Sequence, residues 1–161
     1  MDRTELSPAV LTQSAEDYLE AMLMIGQEGK VVRTSELAGR MAVRMPSVVA
    51  ALRNLKEKGL VLQTRYGYAE LTPGGRSAAR RVYERHQALY RFLHDFLGIG
   101  ADVAQADACR MEHALSPRTM KRLLEFMRFV GRDAASAKPC VVEFHRFLAT
   151  GQRRRCKAGV S

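Results

Sequence analysis

Residues 34–71 read TSELAGRMAVRMPSVVAALRNLKEKGLVLQTRYGYAEL. The order of signals in this stretch decides the fold. The spacing predicts a short helix over 34–43, with Thr34 or Ser35 as its cap. Pro46 fits the first turn of the next helix, where its missing N–H has no intrahelical partner to lose. Val48, Val49, Leu52 and Leu55 recur at helical spacing and predict that helix's buried face. Gly59 is a good stop. Two strand-like runs, about 60–64 and 68–72, flank Tyr66-Gly67, which reads as a hairpin whose glycine supplies a positive φ. Helix, tight link, helix and hairpin make the plan of a winged helix-turn-helix.

The flanks are helical too. Over 13–28, Ser14 is the expected N-cap, and Asp17 stands where a capping box carries an acid. Tyr18, Met22 and Ile25 form one stripe, while Asp17, Glu20 and Met24 form another face. After the hairpin, Thr72-Pro73 opens a long Arg-rich helix, about 73–97. Leu89, Phe92, Leu93, Phe96 and Leu97 give it more apolar surface than an isolated helix can hide. Further helices follow over about 101–115 and from Ser116-Pro117 to about 130, with Gly131 as terminator. The fold class expected is mainly α: a winged helix-turn-helix domain (1–72), an all-helical domain (73–131) and a basic tail (132–161). In the tail, Val141, Val142, Phe144, Phe147 and Leu148 predict one amphipathic helix packed on the body. Cys140, His145 and Cys156 are spaced too widely for a strong metal or redox signal.

The chain has 161 residues, 47% of them hydrophobic and 27% charged, which suits a globular protein. No apolar run approaches the roughly 20 residues of a membrane span, and the N-terminus lacks the shape of a signal peptide. Three scattered cysteines make no disulfide framework. A cytoplasmic protein with no membrane partner is therefore expected. Net charge is +9. The excess is concentrated between Gly29 and Tyr66, where eight basic residues face two acidic ones, whereas residues 1–28 are acidic on balance. Such a cluster gains affinity for duplex DNA by displacing condensed counterions. Arg44, Pro46 and Ser47 are placed to meet base edges, supported by Thr34, Ser35, Arg53 and Lys56. Arg65 and Tyr66 on the wing are placed to meet backbone or minor groove. The competing account is a solvated basic face on a three-helix domain.

Residues 107–115, DACRMEHAL, put Cys109, Glu112 and His113 on one helical face at i, i+3 and i+4. Taken alone, the triplet fits a structural role as well as a metal site. Asp17 and Glu20 share a face of the first helix, and His86 lies on the long one. Should these three helices converge, their carboxylates, imidazoles and thiolate suit a first-row divalent cation rather than Mg(II) or Ca(II).

SAEDYLEAM (14–22), RVYERHQALYRFL (81–93) and DACRMEHALS (107–116) together resemble segments of the iron- and manganese-dependent repressors, the diphtheria-toxin-repressor (DtxR/MntR) family. The likeness spans about residues 12–130, including LTPGGR at the start of the long helix. It implies a winged helix-turn-helix joined to a helical dimerisation domain, binding palindromic double-stranded operator DNA as a homodimer. It also implies a metal site made from Asp17, Glu20, His86, Cys109, Glu112 and His113. Asp17 matches the manganese type, where the iron type has Met. Cys109 matches the iron type, where the manganese type usually has Glu. The ancillary site of the iron type needs a carboxylate where Tyr90 stands and a His where Gln105 stands. The residues after Gly131 are too few for the usual SH3-like third domain. Fe(II) is the expected activator, with Mn(II) close behind. Zn(II) or Co(II) can substitute, since the thiolate softens the site and the carboxylates harden it. No enzyme activity and no small-molecule substrate are expected. The alternative is a winged-helix repressor that responds to thiol oxidation or a small molecule, with Cys109 as sensor.

Overall fold

The computed structural model describes residues 11–63, 67–130 and 139–152. Arg65, Tyr66, Gly131 and Cys156, all named above, lie outside them, as does the side chain of Cys140. Two compact units divide at Glu84 and Arg85. That boundary falls inside a helix, beyond the change of domain expected at residue 72.

The first unit contains α1 (Gln13–Gln27), α2 (Thr34–Met41), α3 (Met45–Glu57), β1 (Val61–Gln63), β2 (Ala69–Leu71) and the opening turns of α4 (Pro73–Arg91). Thr12, not Ser14, caps α1: its Oγ1 accepts from the Ala15 amide at 3.3 Å. Asp17 therefore sits more than a turn inside the helix and has no capping-box role. Neither Thr34 nor Ser35 caps α2, because the cap position is Arg33 and no side chain bonds there. The link from α2 to α3 turns on Ala42, which holds a left-handed φ of 53°. Its amide bonds back to Gly39 O and that of Val43 to Ala38 O, which satisfies the last carbonyls of α2. Gly59 ends α3 in the same way, with the amides of Gly59 and Leu60 on Lys56 O and Leu55 O, both at 2.9 Å.

Leu19, Met22, Ile25, Leu37, Val48, Leu52, Leu55 and Val61 are fully buried at the centre of this unit. Each such side chain contributes roughly 1.5–3 kcal/mol over its exposed state. Val49 does not join them; it is 49% exposed. Neighbouring residues on a helix point about 100° apart, and on α3 the buried stripe Val48, Leu52, Leu55 leaves Val49 to one side of the core. The strands pair antiparallel, Val61 with Leu71 and Gln63 with Ala69. The segment before α2 joins the hairpin, since the Ala69 amide donates to Val32 O at 2.9 Å and Arg33 bridges to Tyr68.

Thr72 starts α4. Its Oγ1 accepts from the Gly75 amide at 3.0 Å and donates to Gly59 O at 2.8 Å. Gly75 is required here, because a Cβ would stand 1.9 Å from the Leu60 carbonyl oxygen.

The second unit contains the rest of α4, α5 (Ala101–Ala114), α6 (Pro117–Val130) and α7 (Pro139–Thr150). The long helix does not run unbroken to residue 97. After Arg91 it widens into one turn over Phe92–Phe96, closed by the Leu97 amide on Phe92 O. Leu89, Leu93, Ala104, Ala108 and Met120 are buried, with Leu97, Ile99, Met111, Leu123 and Leu124 packed around them. The expected helix in the tail is α7, and on its apolar face Val142, Phe144, Phe147 and Leu148 are 38–55% exposed. One polar tie, His145 Nε2 to Phe96 O at 3.0 Å, joins it to the end of the widened turn.

Candidate metal centre and nucleic-acid interface

On α5 the buried residues are Ala104, Ala108 and Glu112, at i, i+4 and i+8. Two alanines let neighbouring groups approach closely, and the carboxylate continues the same buried stripe. The Glu112 side chain has no exposed surface, and those of His86 and His113 are each 6% exposed. His86 Nδ1 lies 3.1 Å from Glu112 Oε2, and His113 Nε2 lies 3.2 Å from Oε1. Oε1 makes no hydrogen bond. Gln105, on the exposed side of α5, places its Nε2 2.8 Å from His86 Nε2. Isolated burial of a carboxylate is unfavourable by several kcal/mol unless a cation or donors compensate it. A buried carboxylate with one imidazole nitrogen against each oxygen, and with Oε1 lacking a hydrogen-bond partner among the described residues, is a donor set that fits a first-row divalent ion.

The other expected ligands stand as follows. Cys109 is on α5, one turn ahead of His113, and is exposed. Asp17 and Glu20 are half-buried on one face of α1, in the first unit. Of the six, the second unit brings His86 and His113 each against Glu112. Tyr90 stacks on His94 with ring centroids 5.3 Å apart.

The expected DNA-reading residues lie on α2 and α3. Thr34 is half-buried, and Ser35, Arg44, Pro46, Ser47, Arg53 and Lys56 are all exposed. Among the described residues, two of the eight cations counted in the sequence are held in ion pairs with acidic neighbours. Lys30 pairs with Glu28 at 3.0 Å and Glu36 at 3.6 Å, and Arg40 hydrogen-bonds Glu28. These donors, Arg40 foremost, hold the Glu28 carboxyl below its usual range. The sequence reading missed Met45 and Val49, which are 43% and 49% exposed beside Arg44 and Pro46. Apolar groups there suit thymine methyls. The Val48-Val49 doublet was the available signal. Arg33 stacks over the Tyr68 ring, 5.3 Å from its centroid, and Arg33 Nη2 donates to the Tyr68 hydroxyl at 3.3 Å, fixing the base of the wing.

Three helices and a two-stranded wing, followed by a helical unit with a buried carboxylate–imidazole cluster, define a winged-helix protein with a metal-type site. Comparison with known proteins makes this specific. Residues 10–69 match the model of the iron dependent repressor N-terminal DNA binding domain, and residues 72–138 that of the iron dependent repressor metal binding and dimerisation domain. An uncharacterised helix-turn-helix-type transcriptional regulator of Methanocaldococcus jannaschii is 34% identical over 118 residues, covering 73% of this chain and 94% of that protein. The diphtheria toxin repressor of Corynebacterium diphtheriae is 28% identical over 123 residues, 76% of this chain and 54% of its own length. A solved manganese-dependent transcriptional repressor in complex with manganese superposes with a TM-score of 0.64 at 36% identity, covering 74% of this chain and 55% of that one. The chain thus spans nearly all of the archaeal relative but about half the length of the other two. It belongs to the diphtheria-toxin-repressor family of metal-dependent transcriptional repressors, a family of regulators rather than enzymes. No helix among the described residues is long and apolar enough to cross a membrane.

Proposed function

We propose that this protein is a repressor that binds palindromic double-stranded operator DNA as a homodimer when it holds Fe(II) or Mn(II). One observation carries the reading: Glu112, fully buried, stands between two imidazole nitrogens at 3.1 and 3.2 Å. His86, Glu112 and His113 hold the ion, with Asp17 and Glu20 as the carboxylates from α1 and Cys109 as the thiolate. The ion supplies positive charge that relieves repulsion among these acids. Because Asp17 and Glu20 belong to the DNA-binding unit and the other four to the second unit, a shared ion favours the DNA-competent state by differential affinity. Arg44, Pro46, Ser47, Met45 and Val49 meet base edges. Thr34, Ser35, Arg53, Lys56, Arg65 and Tyr66 meet the backbone and groove walls.

The test is an operator titration in anaerobic buffer with Fe(II), Mn(II), Zn(II) or chelator, on wild type, Asp17→Ala and Glu112→Ala. Wild type gains operator affinity with metal, and both variants lose that gain while remaining dimeric. Equal affinities in all three proteins, with and without metal, refute it. The exposure of Cys109 favours a second reading, a thiol sensor. DNA release by peroxide, unaffected by chelator, selects that one.

A further inference from the structure

Both ring nitrogens of His86 are engaged from within the second unit. Gln105 Nε2 stands 2.8 Å from His86 Nε2, and Glu112 Oε2 stands 3.1 Å from Nδ1. A neutral imidazole has one N–H and one lone pair. The Gln105 amide N–H donates to Nε2, so the ring proton is on Nδ1 and donates to Glu112. In that state the nitrogen facing the carboxylate has no lone pair for a metal ion.

We propose that Gln105 is a positioning residue for His86, its amide serving both tautomers of the ring. The proposal rests on the metal-centre reading above. Were His86 to hold an ion through Nδ1, that nitrogen would release its proton to solvent and Nε2 would take one up, the ring being neutral in both states. With its amide turned over, Gln105 would accept from Nε2–H through Oε1 and keep the ring in place. An amide, which carries both a donor and an acceptor, meets both demands. A lysine or arginine can only donate and opposes loading, and a carboxylate can only accept and opposes the metal-free state. Gln105 is exposed, so the rotation needs no repacking. The hydrogen bond to the second nitrogen of a metal-ligating histidine typically changes metal affinity 10–100-fold.

The experiment uses the full chain with ¹⁵N-labelled histidine, metal-free and then loaded with Zn(II) as a diamagnetic probe, in wild type, Gln105→Met and Gln105→Glu. In metal-free wild type the His86 proton is expected on Nδ1, and after loading on Nε2. Gln105→Met binds Zn(II) about tenfold more weakly than wild type, with unchanged helix content. Gln105→Glu binds at least as tightly as wild type. A proton on Nε2 in the metal-free wild type, or a Gln105→Met affinity equal to that of wild type, overturns the role of Gln105 alone. No Zn(II)-induced change at His86 or His113 in wild type overturns the metal-centre reading, and this proposal with it.

Discussion

Replacing Glu112 by Gln separates the fold from the metal site. The side chain is fully enclosed, with imidazole nitrogens at 3.1 and 3.2 Å. An amide of nearly the same shape keeps one acceptor for His86 Nδ1–H and presents a donor toward His113. It also removes a buried charge, which is often neutral or stabilising. Metal-free Glu112→Gln should therefore lie within about 1 kcal/mol of wild type, the size of one net hydrogen bond. With metal the two proteins diverge. At a concentration a hundredfold above Kd, Mn(II) stabilises wild type by about 2.7 kcal/mol. A variant whose Kd has risen about a thousandfold gains only about 0.1 kcal/mol at that concentration. For a chain of this length about 1 kcal/mol moves Tm by roughly 2–4 °C, so wild type should gain roughly 5–11 °C and the variant nothing measurable. Thermal unfolding by circular dichroism, with chelator and with Mn(II), reads both quantities. A full Mn(II) shift in Glu112→Gln would show that the carboxylate is not a ligand. A metal-free variant that no longer folds would show that Glu112 serves the fold first.

Three further substitutions probe the scaffold. Gly75→Ala puts a methyl 1.9 Å from Leu60 O, the acceptor of the Thr72 amide at 3.0 Å. The backbone must part there, and chemical denaturation should show a loss of about 3 kcal/mol from overpacking and a broken cap. Ala42→Gly should instead stabilise by about 0.5 kcal/mol. It relieves roughly 1–2 kcal/mol of left-handed strain at φ 53° and gives back roughly 0.4–1 kcal/mol in unfolded-chain entropy; a lower denaturation midpoint would contradict this. Glu28, whose carboxyl is held below its ordinary 4.5 by Arg40 and then Lys30, stabilises the fold above that pH. The contribution disappears as pH falls through the lowered value in the folded state. The Tm advantage of wild type over Glu28→Gln should accordingly be present at pH 6 and vanish toward pH 3; an advantage that persists at pH 3 rules out this source.

The first unit was largely legible because local signals agreed with one another. Pro46, Gly59, Gly67 and the Val48/Leu52/Leu55 period all pointed to the same winged arrangement, and the residues so marked occupy the expected elements. What failed was local competition. Thr12 outcompeted Ser14 because a cap must precede the first turn, and the choice between them shifts the helix start by two residues. Val49 failed for another reason. Apolar character marks surfaces that seek cover without saying whether this unit or another molecule provides it. In the candidate site, His86, Glu112 and His113 were readable as ligand types. Nothing in the spacing told that Glu112 would be enclosed and Cys109 left at the surface. Gln105 was noticed only as a departure from a family pattern, and its hydrogen bond to His86 depends on how α4 and α5 pack.

Ala104, Ala108 and Glu112 form the buried stripe of α5. Its first two members are small apolar residues with no exposed surface, as a helix packed against a neighbour requires. By that logic the third position calls for another apolar residue. A carboxylate there gives up hydrophobic burial and incurs desolvation, while one oxygen is left without a hydrogen bond. Local inconsistencies of this kind in an otherwise consistent helix are where functional or strained positions are expected. The neighbours agree. Two imidazoles turn nitrogens toward the carboxylate, and a surface amide fixes the far side of one of them. An arrangement unfavourable for the empty protein is the kind whose occupation can shift a conformational equilibrium, because the ligand relieves a penalty that one state bears more than the other.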